Sequence, residues 1–245
     1  GQLHLSRIVS HDTAYGISWS PDGKLVAFGC TDTTVRAISA ETGEQVLYQG
    51  AHEDWIRDTV FSVDGSQLVS VGRDMTCKLY EVPTQRFIDN ITSITPGVLK
   101  GGIAAVARHP QRDEVVIGGA DGVPKVYRMN RITKRVIGDD ANLVRLLPEI
   151  PGRIQAVAVS RDGKRIATAS SLDGQGAVNI YGYEFDPTVS DEIKAILAKQ
   201  PGQWNAEERA RVDAWNTAGV EMLASVSVPE SGLYAVAFQP DGRQF

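Results

Sequence analysis

The chain has 245 residues, of which 42% are apolar and 22% are charged, and its formal net charge is −5 at pH 7. This composition predicts a globular protein and excludes a disordered one. The lysine and arginine residues are scattered along the chain, so they form no basic stripe that would bind nucleic acid. The sequence also lacks an apolar run of about eighteen residues, which would predict a membrane span.

An internal repeat organises the sequence. Each copy has two stretches in which apolar and polar residues alternate, the period of a β-strand, and four copies have an Asp-Gly pair between the stretches. Such a pair is a strong hairpin signal. Each copy therefore predicts a β-hairpin. The copies are ISWSPDGKLVAFG (17–29), TVFSVDGSQLVSVG (59–72), the degenerate AVARHPQRDEVVIGG (105–119), VAVSRDGKRIATAS (157–170) and VAFQPDGRQF (236–245).

A second aspartate follows each of the first four hairpins and precedes a third alternating stretch; these are Asp32, Asp74, Asp121 and Asp173. A more polar fourth stretch then completes the unit. A single four-stranded sheet cannot bury both of its faces, so we expect the units to stack face to face around an axis.

These residues resemble WD40 repeats, most closely in the unit at 51–81. There Ala51-His52 stands at the Gly-His position of the family, FSVDG at the Phe-Ser-Pro-Asp-Gly position, and Tyr80-Glu81 at the Trp-Asp position. The resemblance implies an all-β, WD40-like β-propeller segment of about four complete blades, with partial blades at both ends, as part of a seven-bladed ring. The expected blades are 11–50, 51–95, 98–140 and 151–229, and the expected partial blades are 1–10 and 230–245.

The resemblance also implies a hydrogen-bond network within a blade, formed by His52, Ser70, Asp74 and Tyr80. A buried imidazole or carboxylate needs such partners, because burial without them is unfavourable. We therefore interpret His52 and Asp74 as structural rather than catalytic. In the first unit the corresponding prediction is His11 with Asp32.

Residues 186–219 interrupt the fourth unit and predict two helices. Ser190 is a helix N-cap, and Asn205 with Glu208 matches a capping box. One interpretation is that the apolar residues of these helices pack on each other and on the blade edge. The other is that they form a surface for a partner or a further domain. The residues concerned are Ile193, Leu197, Val212 and Trp215.

The leading functional hypothesis is a non-catalytic scaffold that presents its loops to protein partners. In the second unit the loop positions carry Trp55, Arg57 and Arg73, residue types that are enriched at binding hot spots. The alternative is that Trp55 caps the inner strand and that the arginines are solvated or paired.

Signatures of chemistry are missing from the sequence. It contains no nucleophile elbow, no phosphate-binding Gly-Lys-Ser/Thr loop and no Cys-x-x-Cys-His haem motif. We interpret Cys30 and Cys77 as small core residues, and the acidic loops at 139–140 and 173 as polar loops rather than cation sites. We therefore predict no enzyme activity, cofactor or metal site in this segment.

Two alternatives stay open. Phrases such as WSPDGKLVAFGCTDTTVRAI resemble bacterial WD40 proteins of the planctomycete type that are fused to a c-type cytochrome domain. That resemblance implies an exported, periplasmic docking domain with its haem outside this segment; otherwise we expect a cytoplasmic protein. A propeller hydrolase is the second alternative, but the predicted inner strands supply a single carboxylate, Asp58.

Overall fold

A computed structural model describes residues 2–93, 101–136 and 138–240. Within them, sixteen strands form four antiparallel sheets, each made of four consecutive strands, which we call blades 1 to 4. The strands are β1 (Ala14–Trp19), β2 (Leu25–Cys30), β3 (Val35–Ser39), β4 (Gln45–Gln49), β5 (Ile56–Phe61), β6 (Gln67–Gly72), β7 (Cys77–Glu81), β8 (Arg86–Asn90), β9 (Ile103–Arg108), β10 (Glu114–Gly119), β11 (Lys125–Arg128), β12 (Leu143–Leu146), β13 (Arg153–Val159), β14 (Arg165–Leu172), β15 (Gln175–Gly182) and β16 (Met222–Val228).

The Asp64-Gly65 turn fixes the register of the first hairpin in blade 2. Gly65 has a φ of +77°, which the Asp-Gly turn requires and a side chain would disfavour. The Ser62 hydroxyl donates to Asp64 at 2.7 Å and accepts from the backbone N–H of Gln67 at 2.9 Å. Phe61 of β5 is thereby held opposite Leu68 of β6.

The blades pack side by side through their first strands, so that β1, β5, β9 and β13 are neighbours in that order. Glycines at two interfaces permit this approach. A Cβ atom on Gly29 would lie 2.3 Å from Cγ2 of Ile56, and one on Gly118 would lie 2.4 Å from Cγ2 of Ile154. Apolar clusters fill the three spaces between neighbouring blades. Because each blade packs on the next through its first strand, the blades stack around a common axis.

Two helices, α1 (Asp191–Leu197) and α2 (Ala206–Thr217), lie between β15 and β16, within the expected insertion. The side chain of Ser190 accepts from the backbone of Ile193, and Asn205 forms the full capping box with Glu208. Both helix starts that the sequence predicted are therefore confirmed.

Residues 2–10 and 229–240 form no strand, although strands were expected in partial blades there. A ladder with a neighbour defines a β-strand, and the four described sheets include neither segment. Gly1 and residues 241–245 lie outside the described residues. The fourth strand of blade 3, Leu143–Leu146, lies beyond the limit of 140 that we expected for that blade.

Candidate functional site

The structure brings His52, Ser70, Asp74 and Tyr80 together in blade 2. The Nδ1 atom of His52 lies 2.9 Å from Oδ2 of Asp74, and its Nε2 atom lies 2.7 Å from Oγ of Ser70. The Ser70 hydroxyl donates to the Tyr80 hydroxyl at 3.4 Å. His52, Ser70 and Tyr80 are buried. We call these four residues the blade network, and its closure leaves no group open to a substrate.

The carboxylate of Asp74 is the charged member of the blade network. Its burial would raise its pKa, but contacts with His52 and hydrogen bonds from Glu53 and Thr76 outweigh burial and lower the pKa to about 2. The backbone N–H of Glu53 donates at 3.0 Å and the Thr76 hydroxyl donates at 2.8 Å. Asp74 is therefore a fixed anion that holds the loop before β5 against the turn before β7.

The prediction that His11 pairs with Asp32 in blade 1 is wrong. His11 is exposed, and Asp32 instead accepts from the Ser10 hydroxyl at 3.1 Å and from Nη2 of Arg36 at 2.5 Å. The error is one of register. Ser10 precedes the turn residue Ser20 by the same interval as His52 precedes Ser62, so Ser10 rather than His11 occupies the network position.

Blade 3 contains a network that the sequence did not reveal. The Tyr127 hydroxyl donates to Asp140 at 2.8 Å, and the backbone N–H of Ser93 donates to the same carboxylate at 2.9 Å. Burial raises the pKa of Asp140 to about 6. In blade 4, Tyr181 donates to the carbonyl oxygen of Pro148 at 2.8 Å, while Asp173 lies exposed in a turn. The tyrosine of the third strand therefore has a different partner in each of blades 2, 3 and 4.

Trp55, Arg57 and Arg73 meet on one face of blades 1 and 2, and a fourth residue, Tyr15, joins them. The ring of Tyr15 stacks on Trp55 with centroids 6.3 Å apart. The guanidinium of Arg57 lies 4.7 Å from the centre of the Tyr15 ring, and that of Arg73 lies 4.6 Å from the centre of the Trp55 ring. We call Tyr15, Trp55, Arg57 and Arg73 the arginine–aromatic stack.

The arginine–aromatic stack adjoins a depression of about 480 Å³ between the starts of the first strands. Its charged lining residues are Asp54, Arg57, Arg73 and Arg153. No signal in the sequence places Tyr15 or Arg153 near this site, because the two residues come from other blades. Only the side-by-side packing of β1, β5 and β13 with their neighbours places these residues on a common face.

Of the two interpretations of Ile193, Leu197, Val212 and Trp215, the structure agrees with packing on each other, and the three aliphatic residues form no open surface. Ile193, Leu197 and Val212 are buried in one cluster, and Trp215 packs against it. The apolar sides of α1 and α2 face each other, because the two helices are in contact.

Arg145 of β12 attaches the helices to blade 3. Its guanidinium lies 4.8 Å from the centre of the Trp215 ring, and its Nε and Nη2 atoms donate to the carbonyl oxygens of Ala218 at 2.8 Å and Asp186 at 2.6 Å. The insertion from blade 4 therefore covers the outer strand of the preceding blade.

Few groups in the structure are poised for chemistry. Within residues 2–93, 101–136 and 138–240, no three His, Cys, Asp or Glu side chains are grouped to hold a metal ion, and Cys30 and Cys77 are buried free thiols. Asp58 accepts from the backbone N–H groups of Thr59 and Val106, both at 2.9 Å, and burial raises its pKa to about 6. It bridges blades 2 and 3.

The described helices include none that is long and apolar enough to cross a membrane.

Comparison with protein families identifies the repeats. Residues 43–81 match the family model described as "WD domain, G-beta repeat", and residues 5–54 match the model described as "Anaphase-promoting complex subunit 4 WD40 domain". Together with the four stacked four-stranded sheets, these matches show that the chain carries WD40 repeats and that its fold is that of a WD40-type β-propeller.

Similar curated proteins share these repeats at modest identity. "Eukaryotic translation initiation factor 3 subunit I" of Kluyveromyces lactis is 26% identical over 75% of this chain and 54% of its own length. The protein of the same name from Danio rerio is 27% identical over 79% of this chain and 58% of its own length. The "WD repeat-containing protein 26 homolog" of Arabidopsis thaliana is 22% identical over 68% of the chain and 33% of its own length.

The chain therefore spans about half the length of the first two relatives. All three relatives are eukaryotic, so they lend no support to the bacterial resemblance, and they do not bear on the cytochrome or hydrolase alternatives.

Proposed function

We propose that this chain is a non-catalytic interaction module that holds a protein partner on the face bearing the arginine–aromatic stack. The observation that carries the proposal is the exposure of Trp55, which is 38% accessible although Tyr15 and Arg73 pack on its ring. A tryptophan that only capped its strand would be expected to bury more of its surface. Tryptophan and arginine are also the residues that most often dominate protein interfaces.

The blade network supports the same proposal. Its titratable groups are consumed in internal hydrogen bonds, so they are suited to holding a rigid frame. WD40 repeat proteins typically act as interaction scaffolds, and the names of two relatives describe them as subunits of a translation initiation factor. We propose by analogy that this chain works as a subunit of a larger protein assembly.

We further propose that additional blades cover blades 1 and 4 in the full propeller. Ile17 and Trp19 on β1 are 71% and 61% exposed, whereas Thr59 and Phe61 at the equivalent positions of β5 are 3% and 1% exposed. The difference arises because blade 1 covers β5, whereas no described blade covers β1. On blade 4, Met222, Leu223 and Val226 of β16 are similarly exposed.

Affinity purification tests the proposal. The tagged chain, its Trp55→Ala variant and its Phe87→Ala variant would each be expressed in cells of the source organism, and the recovered proteins quantified by mass spectrometry. Phe87 is a matched control, because it is an aromatic residue of the same blade with the same 38% exposure. We expect a defined partner to be lost with Trp55→Ala and kept with Phe87→Ala. Equal recovery with all three chains would contradict the proposed face.

A further inference from the structure

The depression beside the arginine–aromatic stack concentrates positive charge. Its charged lining comprises three arginines, Arg57, Arg73 and Arg153, and one carboxylate, that of Asp54. The chain as a whole has a net charge of −5. The charge of the depression is therefore positive, whereas the net charge of the protein is negative. A concave site with one sign of charge raises the local concentration of oppositely charged ligands.

The contacts that these arginines make within the protein leave guanidinium N–H groups available to a ligand. Nε of Arg73 lies 3.5 Å from Oδ2 of Asp54, a half-exposed pair. Within the described residues, neither Arg57 nor Arg153 pairs with a carboxylate. Two of the guanidinium groups lie over the aromatic rings of the stack, an electrostatic contact that needs no N–H hydrogen bond, whereas carboxylates bind the N–H groups at the edge of the guanidinium plane. Stacking therefore orients these donors without consuming them.

Small residues bring the arginines of different blades together. A Cβ atom on Gly102 would lie 2.9 Å from the Cα atom of Arg73, so the chain of blade 3 approaches blade 2 closely at this point. Gly102 and Ala104 line the depression with Arg57 and Arg153. Because Gly102 has no side chain and Ala104 has only a methyl group, the space between the guanidinium groups stays open to an extended segment.

The aromatic residues argue against nucleic acid as the ligand. Proteins that bind single strands stack bases on open aromatic rings. Here Tyr15 and Arg73 already pack on the ring of Trp55, so a base would have to displace one of them. Carboxylates need no aromatic face.

We propose that this depression binds an extended, glutamate- or aspartate-rich segment of the partner protein, with Arg57, Arg73 and Arg153 donating to its carboxylates. This inference rests on the proposed function and specifies the chemistry of the partner. It predicts that binding weakens as ionic strength rises, because the pairs form at a half-exposed surface.

Fluorescence anisotropy with synthetic peptides tests this inference. The probe is a labelled short peptide of alternating glutamate and glycine, and the matched probes replace glutamate by glutamine or lysine. A labelled single-stranded oligonucleotide is measured beside them. The test variant is Arg57→Gln with Arg153→Gln. The control variant is Lys24→Gln with Arg161→Gln, which removes the same charge from exposed residues at the Asp-Gly turns. Circular dichroism confirms the fold of both variants.

We expect the glutamate peptide alone to bind, and we expect the test variant to weaken its binding by about tenfold while the control variant changes it by less than about twofold. Three results would overturn the inference: no binding of the glutamate peptide, equal weakening by both variants, or tighter binding of a single-stranded oligonucleotide at the same arginines. Should the peptide fail while Trp55→Ala still abolishes capture of the partner, the proposed function stands and only the acidic chemistry falls.

Discussion

The Nδ1 atom of His52 lies 2.9 Å from Oδ2 of Asp74, and a lysine of the same blade contacts an aromatic ring instead of this carboxylate. That lysine is Lys78, four residues after Asp74, and its Nζ atom lies 5.7 Å from the centre of the Phe87 ring. Blade 2 thus holds its aspartate with an imidazole from the loop before its first strand.

The neighbouring blades hold the equivalent aspartate with the cation at that same offset. In blade 1 it is Arg36, which contacts Asp32, and in blade 3 it is Lys125, which contacts Asp121. The aspartate is common to these blades, whereas the side chain that contacts it varies. Its common role is to fix the turn into the third strand, because its carboxylate also accepts backbone N–H groups two residues further on.

Replacing His52 by alanine should destabilise the protein by about 3 kcal/mol, because Asp74 and Ser70 would be left without their buried partner. The free energy of unfolding in urea measures the effect. His11→Ala is the matched control and should change stability by less than about 0.5 kcal/mol, since an exposed residue outside a network contributes little. Equal losses from the two variants would contradict the register that places Ser10, not His11, beside Asp32.

The raised pKa of Asp58 predicts a pH dependence of stability. Burial raises this pKa from 3.8 to about 6, so the folded protein binds a proton more tightly than the unfolded chain. The contribution of Asp58 is therefore fully present below about pH 4 and is lost as the pH rises through 6. The stability of the wild type relative to Asp58→Asn should fall by about 2 kcal/mol over this interval.

Urea unfolding of both chains between pH 4 and pH 7 measures this difference. His109, whose pKa burial lowers to about 4, titrates in the same range with the opposite sign. The comparison with Asp58→Asn removes its contribution, because His109 is present in both chains. A difference that stays constant with pH would show that folding does not raise the pKa of Asp58.

Trp19 and Phe61 form a matched pair that tests the open face of blade 1. Phe61→Ala should cost about 3–5 kcal/mol of stability, as expected for a buried aromatic residue, whereas Trp19→Ala should cost less than about 1 kcal/mol because most of its surface is exposed. Thermal and urea unfolding of the 245-residue chain measure both. A loss at Trp19 as large as that at Phe61 would mean that the face of blade 1 is covered.

Arg145→Ala should release the helical insertion from blade 3. The variant loses two hydrogen bonds to the carbonyl oxygens of Ala218 and Asp186 and a contact with Trp215, and we expect a loss of about 2 kcal/mol. Hydrogen exchange should show faster exchange in α2 and unchanged exchange in β6. Lys164→Ala, which removes an exposed pair with Glu184, should leave both elements unchanged.

The local signals in the sequence were sufficient for the hairpins that open the four described blades. Asp-Gly turns, alternating residues and the Asn205 capping box each act within a few residues, so their consequences could be predicted. Contacts between blades could not, because Tyr15 and Arg153 reach the site of Trp55 only through packing. The misassigned His11 shows the limit of the approach, since one step of register moves a side chain to the opposite face of an extended segment.

The partner affinity and the unfolding midpoint of Trp55→Ala, measured on the same preparation, test the central claim most directly. If the arginine–aromatic stack is a binding site, affinity should fall by about tenfold or more, while Phe87→Ala keeps wild-type affinity and both variants unfold within about 1 kcal/mol of the wild type. Unchanged affinity together with a large loss of stability would show that Trp55 serves packing alone, and would contradict the account.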